Sequence, residues 1–282
     1  MFPKNIYFAG GAFGCVYHLG VANALLEHKI SELNVYGNSA GVFVGMLYIL
    51  ADGNMSKFYK LYMKCVASAK NNIAAAPFTL SSYALTHYHL VIFDYVHKRH
   101  PDAYLKCNGR LHVGVTTPAG FVWVNQFGSN ADLFNTLLCS VNVPILCDYD
   151  AKLDGTICID GGYGFDPTKD LPLDIITIGL SDVRYDLNGD IPLVFRVLPP
   201  PDCVCEFYYQ KGCVDMNTRI QLRRRRNPNP SLKRLDHVLE DTLFGFETMM
   251  AIRVMQDPKT ITYCCKDLER FRGNQGSPPP FR

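Results

Sequence analysis

Ser39 stands at the centre of Gly37-x-Ser39-x-Gly41, and Asp160 opens the run Asp160-Gly161-Gly162. A serine hydroxyl becomes a useful nucleophile only when something takes its proton, so a raised serine and a carboxylate within reach of it are the smallest set that could transfer an acyl group. Gly-x-Ser-x-Gly between a strand and a helix is a sharp turn that exposes the serine oxygen, with glycine where a side chain would collide with neighbouring backbone. Without that context the pattern is weak, and an ordinary strand-to-helix turn capped by serine has the same letters. Taken alone, Asp160-Gly161 reads as a turn, as do Asp52-Gly53, Asp154-Gly155 and Asn188-Gly189.

A tetrahedral oxyanion also needs preorganised donors. Gly10-Gly11-Ala12-Phe13-Gly14 precedes a helical stretch and offers backbone N–H groups there; Gly10, Gly11, Ala12 and Gly14, with the N–H of Ala40 after the serine, are the expected oxyanion donors. The loop fits neither a dinucleotide nor a phosphate-loop fingerprint. Histidine bases are poorly placed by sequence. His237 is the sole histidine after Asp160, in a charged run, and His87, His89, His97, His100 and His112 lie in helical or strand contexts with no acid pattern beside them. Asp186-x-Asn188-Gly189-Asp190 lacks the downstream glutamate of a calcium loop and reads as a polar turn. No metal site and no organic cofactor are expected.

The elements that must position these residues follow from periodicity. Asn5 to Ala9, Leu33 to Tyr36, Arg110 to Thr117, Phe121 to Phe127, Thr156 to Ile159, Asp174 to Leu180 and Leu193 to Leu198 read as strands. Helices are expected over 16–28, 42–51, 56–70, 83–97, 131–140 and from Tyr208 onward, with a break at Asn227-Pro228-Asn229-Pro230. Strands alternating with helices give an α/β layer architecture with a mostly parallel sheet.

The chain has 282 residues, 48% of them hydrophobic, with a net charge of +2, enough for a sizeable core. Its longest apolar stretch, Val42 to Ala51, is too short to span a bilayer. The N-terminus lacks a secretory pattern, and the 11 cysteines include no C-x-x-C pair, so reduced thiols and a cytoplasmic location are expected. Charge is uneven: 13 basic and 7 acidic residues follow from Arg219 onward, against 15 and 19 before it. Arg223 to Arg226 with Lys233 and Arg234 form the densest basic run, which could meet anionic lipid or be merely solvated. Nucleic acid is not expected as a partner, because one basic run is not a broad positive face.

Several segments resemble one family. Phe8-Ala9-Gly10-Gly11-Ala12-Phe13 with Val16-Tyr17-His18-Leu19-Gly20, the elbow GNSAG, Asn108 to Val113, Cys139 to Pro144, Asp160-Gly161-Gly162 and Tyr209 to Gly212 look like the patatin-like phospholipases, especially the adiponutrin and adipose triglyceride lipase branch. The likeness implies a three-layer α/β/α fold over residues 1–222, followed by a basic helical extension over 223–282. It also implies a Ser–Asp dyad, with Ser39 as nucleophile and Asp160 as base, and Gly37, Gly41, Gly161 and Gly162 as motif glycines. The family's loop usually reads Gly-x-Gly-x-x-Gly, and here Ala12 and Cys15 hold the third and sixth places. Ala12 is costly only if its backbone needs a positive φ.

The function this implies is a lipid acyl-ester hydrolase, cleaving phospholipid or acylglycerol in peripheral contact with a membrane or lipid droplet. A Ser–His hydrolase is one rival. The other is a catalytically weak lipid-surface or partner-binding protein whose altered loop spoils the oxyanion hole.

Overall fold

A computed structural model describes residues 2–75, 82–143, 147, 151–180 and 185–225. The chain divides into two units, Met1–Ile220 and Gln221–Arg282. The expected extension over 223–282 falls almost wholly outside the described residues, as does His237.

In chain order the protein begins β1 (Asn5–Phe8), a single 3-10 turn (Ala12–Gly14), α1 (Cys15–Glu27), β2 (Asn34–Asn38) and α2 (Gly41–Leu50). It continues α3 (Ser56–Ala75), α4 (Ser82–Arg99), α5 (Ala103–Cys107), β3 (Leu111–Thr117), β4 (Gly120–Val124) and α6 (Asn130–Ser140). Then come β5 (Lys152–Leu153), β6 (Thr156–Ile157), β7 (Ile159–Asp160), α7 (Pro167–Asp170), β8 (Ile175–Gly179), β9 (Leu187–Asn188), α8 (Leu193–Val197) and α9 (Asp202–Arg225).

Among the described residues the main sheet runs β4-β3-β2-β1-β8-β9. Its central pairs are parallel, with β4 added antiparallel at one edge. This is the mostly parallel sheet with flanking helices expected of the sequence. Parallel strands are covered by helices, and α1 and α2 pack against each other as part of that cover. Cys15 through Leu26 are all buried in α1, as is every residue of α2. Neither helix is amphipathic in its sequence, because neither has a face turned to water. Each fully buried Leu, Val, Ile or Phe there contributes about 1.5–3 kcal/mol of transfer free energy. Among the described residues no helix is long and apolar enough to cross a membrane.

Two local expectations are corrected. Leu193 to Leu198 is a helix, α8, and not a strand. Pro192 supplies its N-cap, Phe195 N–H donates to Pro192 O, and Leu198 N–H donates to Val194 O. A short apolar run fits either structure by periodicity. Here β8 already has β1 and β9 on its two edges, and the run folds instead against the turn Ala12–Gly14. The strand expected over Thr156 to Ile159 is split. Thr156–Ile157 closes a hairpin with β5 through Asp154 and Gly155, both at positive φ, while Ile159–Asp160 leaves to join the main sheet.

Candidate active site

β3 decides where the chemistry can occur. Along one edge it pairs with β2 as far as Asn38 opposite Gly114, and its next residue, Val115, pairs with Asp160 of β7. Asp160 therefore takes the position on β3 that a straight continuation of β2 would have given to Ser39. The chain turns aside at Ser39, which has φ +50 and remains partly exposed, and α2 begins at Gly41. A left-handed serine is strained unless its surroundings fix it. A Cβ on Gly41 would collide with the Phe8 carbonyl oxygen, so the turn closes only on glycine.

Ser140, at the end of α6, ties both motifs together. Its Oγ donates to Gly114 O at 2.6 Å and accepts the Ser39 N–H at 3.0 Å. Its carbonyl oxygen accepts the Gly161 N–H at 3.0 Å, and Asn142 O accepts the Asp160 N–H at 2.8 Å. β7 is thus held by β3 on one edge and by residues 140–142 on the other. A Cβ on Gly161 would collide with Gly114 O, which is how closely this turn approaches β3. The turn reading holds as well, since Tyr163 N–H donates to Asp160 O.

Asp160 is buried, with Oδ1 accepting the Gly162 N–H at 2.8 Å and Oδ2 without a hydrogen-bond partner. Burial pushes its carboxyl up to about 6; the nearby Ser39 hydroxyl and the Gly162 N–H pull the other way. The Ser39 to Asp160 contact is therefore close enough to act electrostatically without being a finished hydrogen bond. An unpaired, proton-attracting oxygen beside a raised serine is the arrangement a general base requires.

Of the expected oxyanion donors, two have their N–H engaged inside the protein. Gly10 N–H donates to Asn38 Oδ1 at 2.9 Å, and Gly14 N–H donates to Gly11 O at 2.9 Å. Among the described residues no acceptor takes the N–H of Gly11, Ala12 or Ala40. Ala12 does sit at positive φ, +46, whereas Cys15 is in ordinary right-handed helical conformation. Of the two departures from the family's loop, only Ala12 carries backbone strain.

Histidines are placed elsewhere. His18 Nε2 donates to Ala9 O and burial lowers its pKa to about 4; His89 stacks on Phe43 and is lowered to about 3, again by burial. His112 stacks on Tyr36 at 4.1 Å and is also lowered by burial. Among the described residues no histidine is hydrogen-bonded to Ser39, and no cluster of His, Cys, Asp or Glu could hold a metal ion. Among the described residues nine cysteines are free thiols.

Ser140 was visible in the sequence only within a segment resembling the family, with no role attached. Its signal is spatial, since its partners are 101 and 26 residues away.

No family model matches the chain. Omega-hydroxyceramide transacylase of Mus musculus is 26% identical over 255 residues, which cover 80% of this chain and 41% of that protein. Patatin-like phospholipase domain-containing protein 2 of Mus musculus is 28% identical over 191 residues, 61% of this chain and 36% of that protein. The chain thus spans about two fifths of the length of the curated relatives it matches. Among solved structures, the ExoU–SpcU heterodimer of Pseudomonas aeruginosa matches with a TM-score of 0.41 at 11% identity, over 79% of this chain and 52% of that one, a likeness too slight to add to the assignment. The relatives in sequence carry the comparison, and they support a place for the chain among proteins similar to the patatin-like phospholipases.

Proposed function

We propose that the chain is a lipid acyl-ester hydrolase working through a Ser–Asp dyad. At the level of the family, lipid hydrolysis is supported by the patatin-like relatives. The observation that carries the finer reading is the pairing of Ser39, raised on a left-handed turn, with the unpartnered Oδ2 of Asp160 at the next position along β3.

In the first half-reaction Ser39 Oγ attacks the ester carbonyl carbon while its proton passes to Asp160 Oδ2. The tetrahedral oxyanion is received by the open N–H groups of Gly11, Ala12 and Ala40. Collapse breaks the bond to the alcohol, which leaves with the proton held by Asp160, and the acyl group remains on Ser39. In the second half-reaction water gives a proton to Asp160 and attacks the acyl carbon; Ser39 departs and recovers that proton. An alcohol in place of water would make the same steps a transacylation, the activity that the name of one relative carries. No metal or cofactor enters either half-reaction.

The substrate class is phospholipid or acylglycerol, met at a membrane or droplet surface, with the protein in the cytoplasm. Of the basic run offered as an anchor, Arg223 falls within α9, while Arg226, Lys233 and Arg234 lie outside the described residues. The rival reading, a weak enzyme kept for binding lipid, is favoured by one observation, the positive φ of Ala12. Release of fatty acid from mixed phospholipid and triacylglycerol vesicles distinguishes the two. Turnover by the wild type and none by Ser39→Ala supports the hydrolase; binding with no turnover by either supports the rival.

A further inference from the structure

Asn38, the residue between Gly37 and the nucleophile, is 2% exposed, yet it is a polar side chain at the end of a central strand. A buried amide must earn its place through hydrogen bonds. Its Oδ1 accepts the Tyr7 hydroxyl at 3.0 Å and the Gly10 N–H at 2.9 Å. The amide orientation follows from chemistry, because a backbone N–H can only donate and the atom facing Gly10 must be the oxygen.

Gly10 begins the oxyanion loop, and two residues on, Ala12 holds φ +46, a conformation alanine adopts rarely. Such a residue persists only where neighbouring contacts over-determine it. Other contacts hold the loop, among them the Tyr62 hydroxyl, which donates to Phe13 O at 2.7 Å. Ala9 N–H donates to Ile178 O, His18 Nε2 donates to Ala9 O, and Gly14 N–H donates to Gly11 O. None of these comes from the elbow. The Asn38 amide alone among them joins the loop to the strand that delivers Ser39, and it does so from the adjacent residue. Gly10 is also packed against the nucleophile, with a Cβ built there 2.7 Å from Ser39 Cβ. The separation between the open donors of the loop and the serine oxygen is therefore set by this packing together with one hydrogen-bonding side chain.

We propose that Asn38 is a positioning residue whose amide oxygen holds the glycine loop in register with Ser39 and keeps Ala12 in its left-handed conformation. This rests on the hydrolase reading for its kinetic consequence, though not for its structural one. The function of Asn38 is then coupled to Ala12. With alanine at position 12 the loop leaves its active conformation once the clamp is removed; with glycine there, positive φ is freely accessible and the clamp matters less.

The test is a double-mutant cycle on a soluble short-chain ester, paired with peptide-resolved hydrogen–deuterium exchange on the same proteins without substrate. Asn38→Ala should lower kcat about 10²-fold with KM nearly unchanged, as loss of aligned oxyanion donors does. In the Ala12→Gly background the same substitution should cost about tenfold less. Exchange at Gly10, the hydrogen-bonded amide of this loop, should rise at least about tenfold in Asn38→Ala and stay at the wild-type rate in Asn38→Asp, which keeps an acceptor at the same place. Should Asn38→Ala fail to fold, Asn38→Ser, whose oxygen is one bond short of Oδ1, makes the same comparison. Equal losses of kcat in both backgrounds, or unaltered exchange in Asn38→Ala or Asn38→Ser, would overturn the proposal. Because exchange needs no substrate, a wild type that hydrolyses no ester refutes the hydrolase reading and leaves the clamp to be judged by exchange alone.

Discussion

The elbow and the glycine loop both carry a non-glycine residue at positive φ, and the protein supports the two differently. Ser39 is held from several sides: its N–H is taken by the Ser140 hydroxyl of α6, Ser39 O accepts the Val42 N–H, and Gly41 lies against Phe8 O. Ala12 lies in a partly exposed loop whose hydrogen bond to the elbow, among the described residues, comes from one amide side chain. The nucleophile is fixed by the sheet, and the oxyanion donors are fixed by a clamp. Damage at the first should therefore destroy catalysis, while change at the second should tune it.

The largest effect is expected from the dyad. Ser39→Ala should abolish turnover, and Asp160→Asn should lower it by about 10²–10⁴-fold, since Asn keeps the shape and the bond from Gly162 but cannot take a proton. The same Asp160→Asn protein should be more stable at neutral pH. Burial has raised the folded carboxyl from 3.8 to about 6. The penalty for ionising it begins as pH rises past the unfolded value and is complete above about 6, where removing the charge should gain up to roughly 3 kcal/mol. Thermal melts of the two proteins at pH 7 and pH 3.5 measure this; the difference should shrink at the lower pH, and a less stable Asp160→Asn at pH 7 would contradict it.

Next in size is Ser140→Ala. It leaves the Ser39 N–H and Gly114 O without their partner, which should destabilise the fold by about 1–3 kcal/mol and lower kcat more than it raises KM. A variant that loses stability with an intact kcat would show that Ser140 supports the sheet without aligning the nucleophile.

The smallest effects separate the two departures in the glycine loop. Ala12→Gly should relieve a left-handed residue and stabilise the protein by about 1 kcal/mol, with kcat changed less than about threefold while the Asn38 clamp is present. Cys15→Gly should bring no kinetic gain and a loss of about 1 kcal/mol or more, because Cys15 is helical and 1% exposed. Chemical denaturation and steady-state kinetics on the pair decide it, and a faster Cys15→Gly enzyme would reverse this assignment of strain.

How far the sequence could be read follows the same division. The elbow is a local feature, five residues between a strand and an all-buried helix, so the turn at Ser39 and the alternation of strand and helix around it were accessible from spacing alone, whereas the strand order was not. Asp160 was not: its letters spell a turn, it is a turn, and only family resemblance gave it a role. What sets it beside Ser39 is the register of β3, a long-range pairing that no local pattern encodes. Asn38 and Ser140 were hidden for a related reason, as the meaning of a buried polar side chain lies in partners 26 to 101 residues distant. The helix at Leu193–Val197 was misread because a short apolar run takes its structure from what space the sheet leaves it.

The dyad without histidine is tested most directly by the pH dependence of covalent labelling of Ser39 with a fluorophosphonate, followed by identification of the labelled peptide. Labelling should fall on Ser39 alone, rise with pH through an inflection near 6 as Asp160 ionises, and be nearly lost, without an inflection there, in Asp160→Asn. Undiminished labelling of Asp160→Asn, or a comparable loss on replacing His18, His89 or His112 in a folded protein, would contradict it.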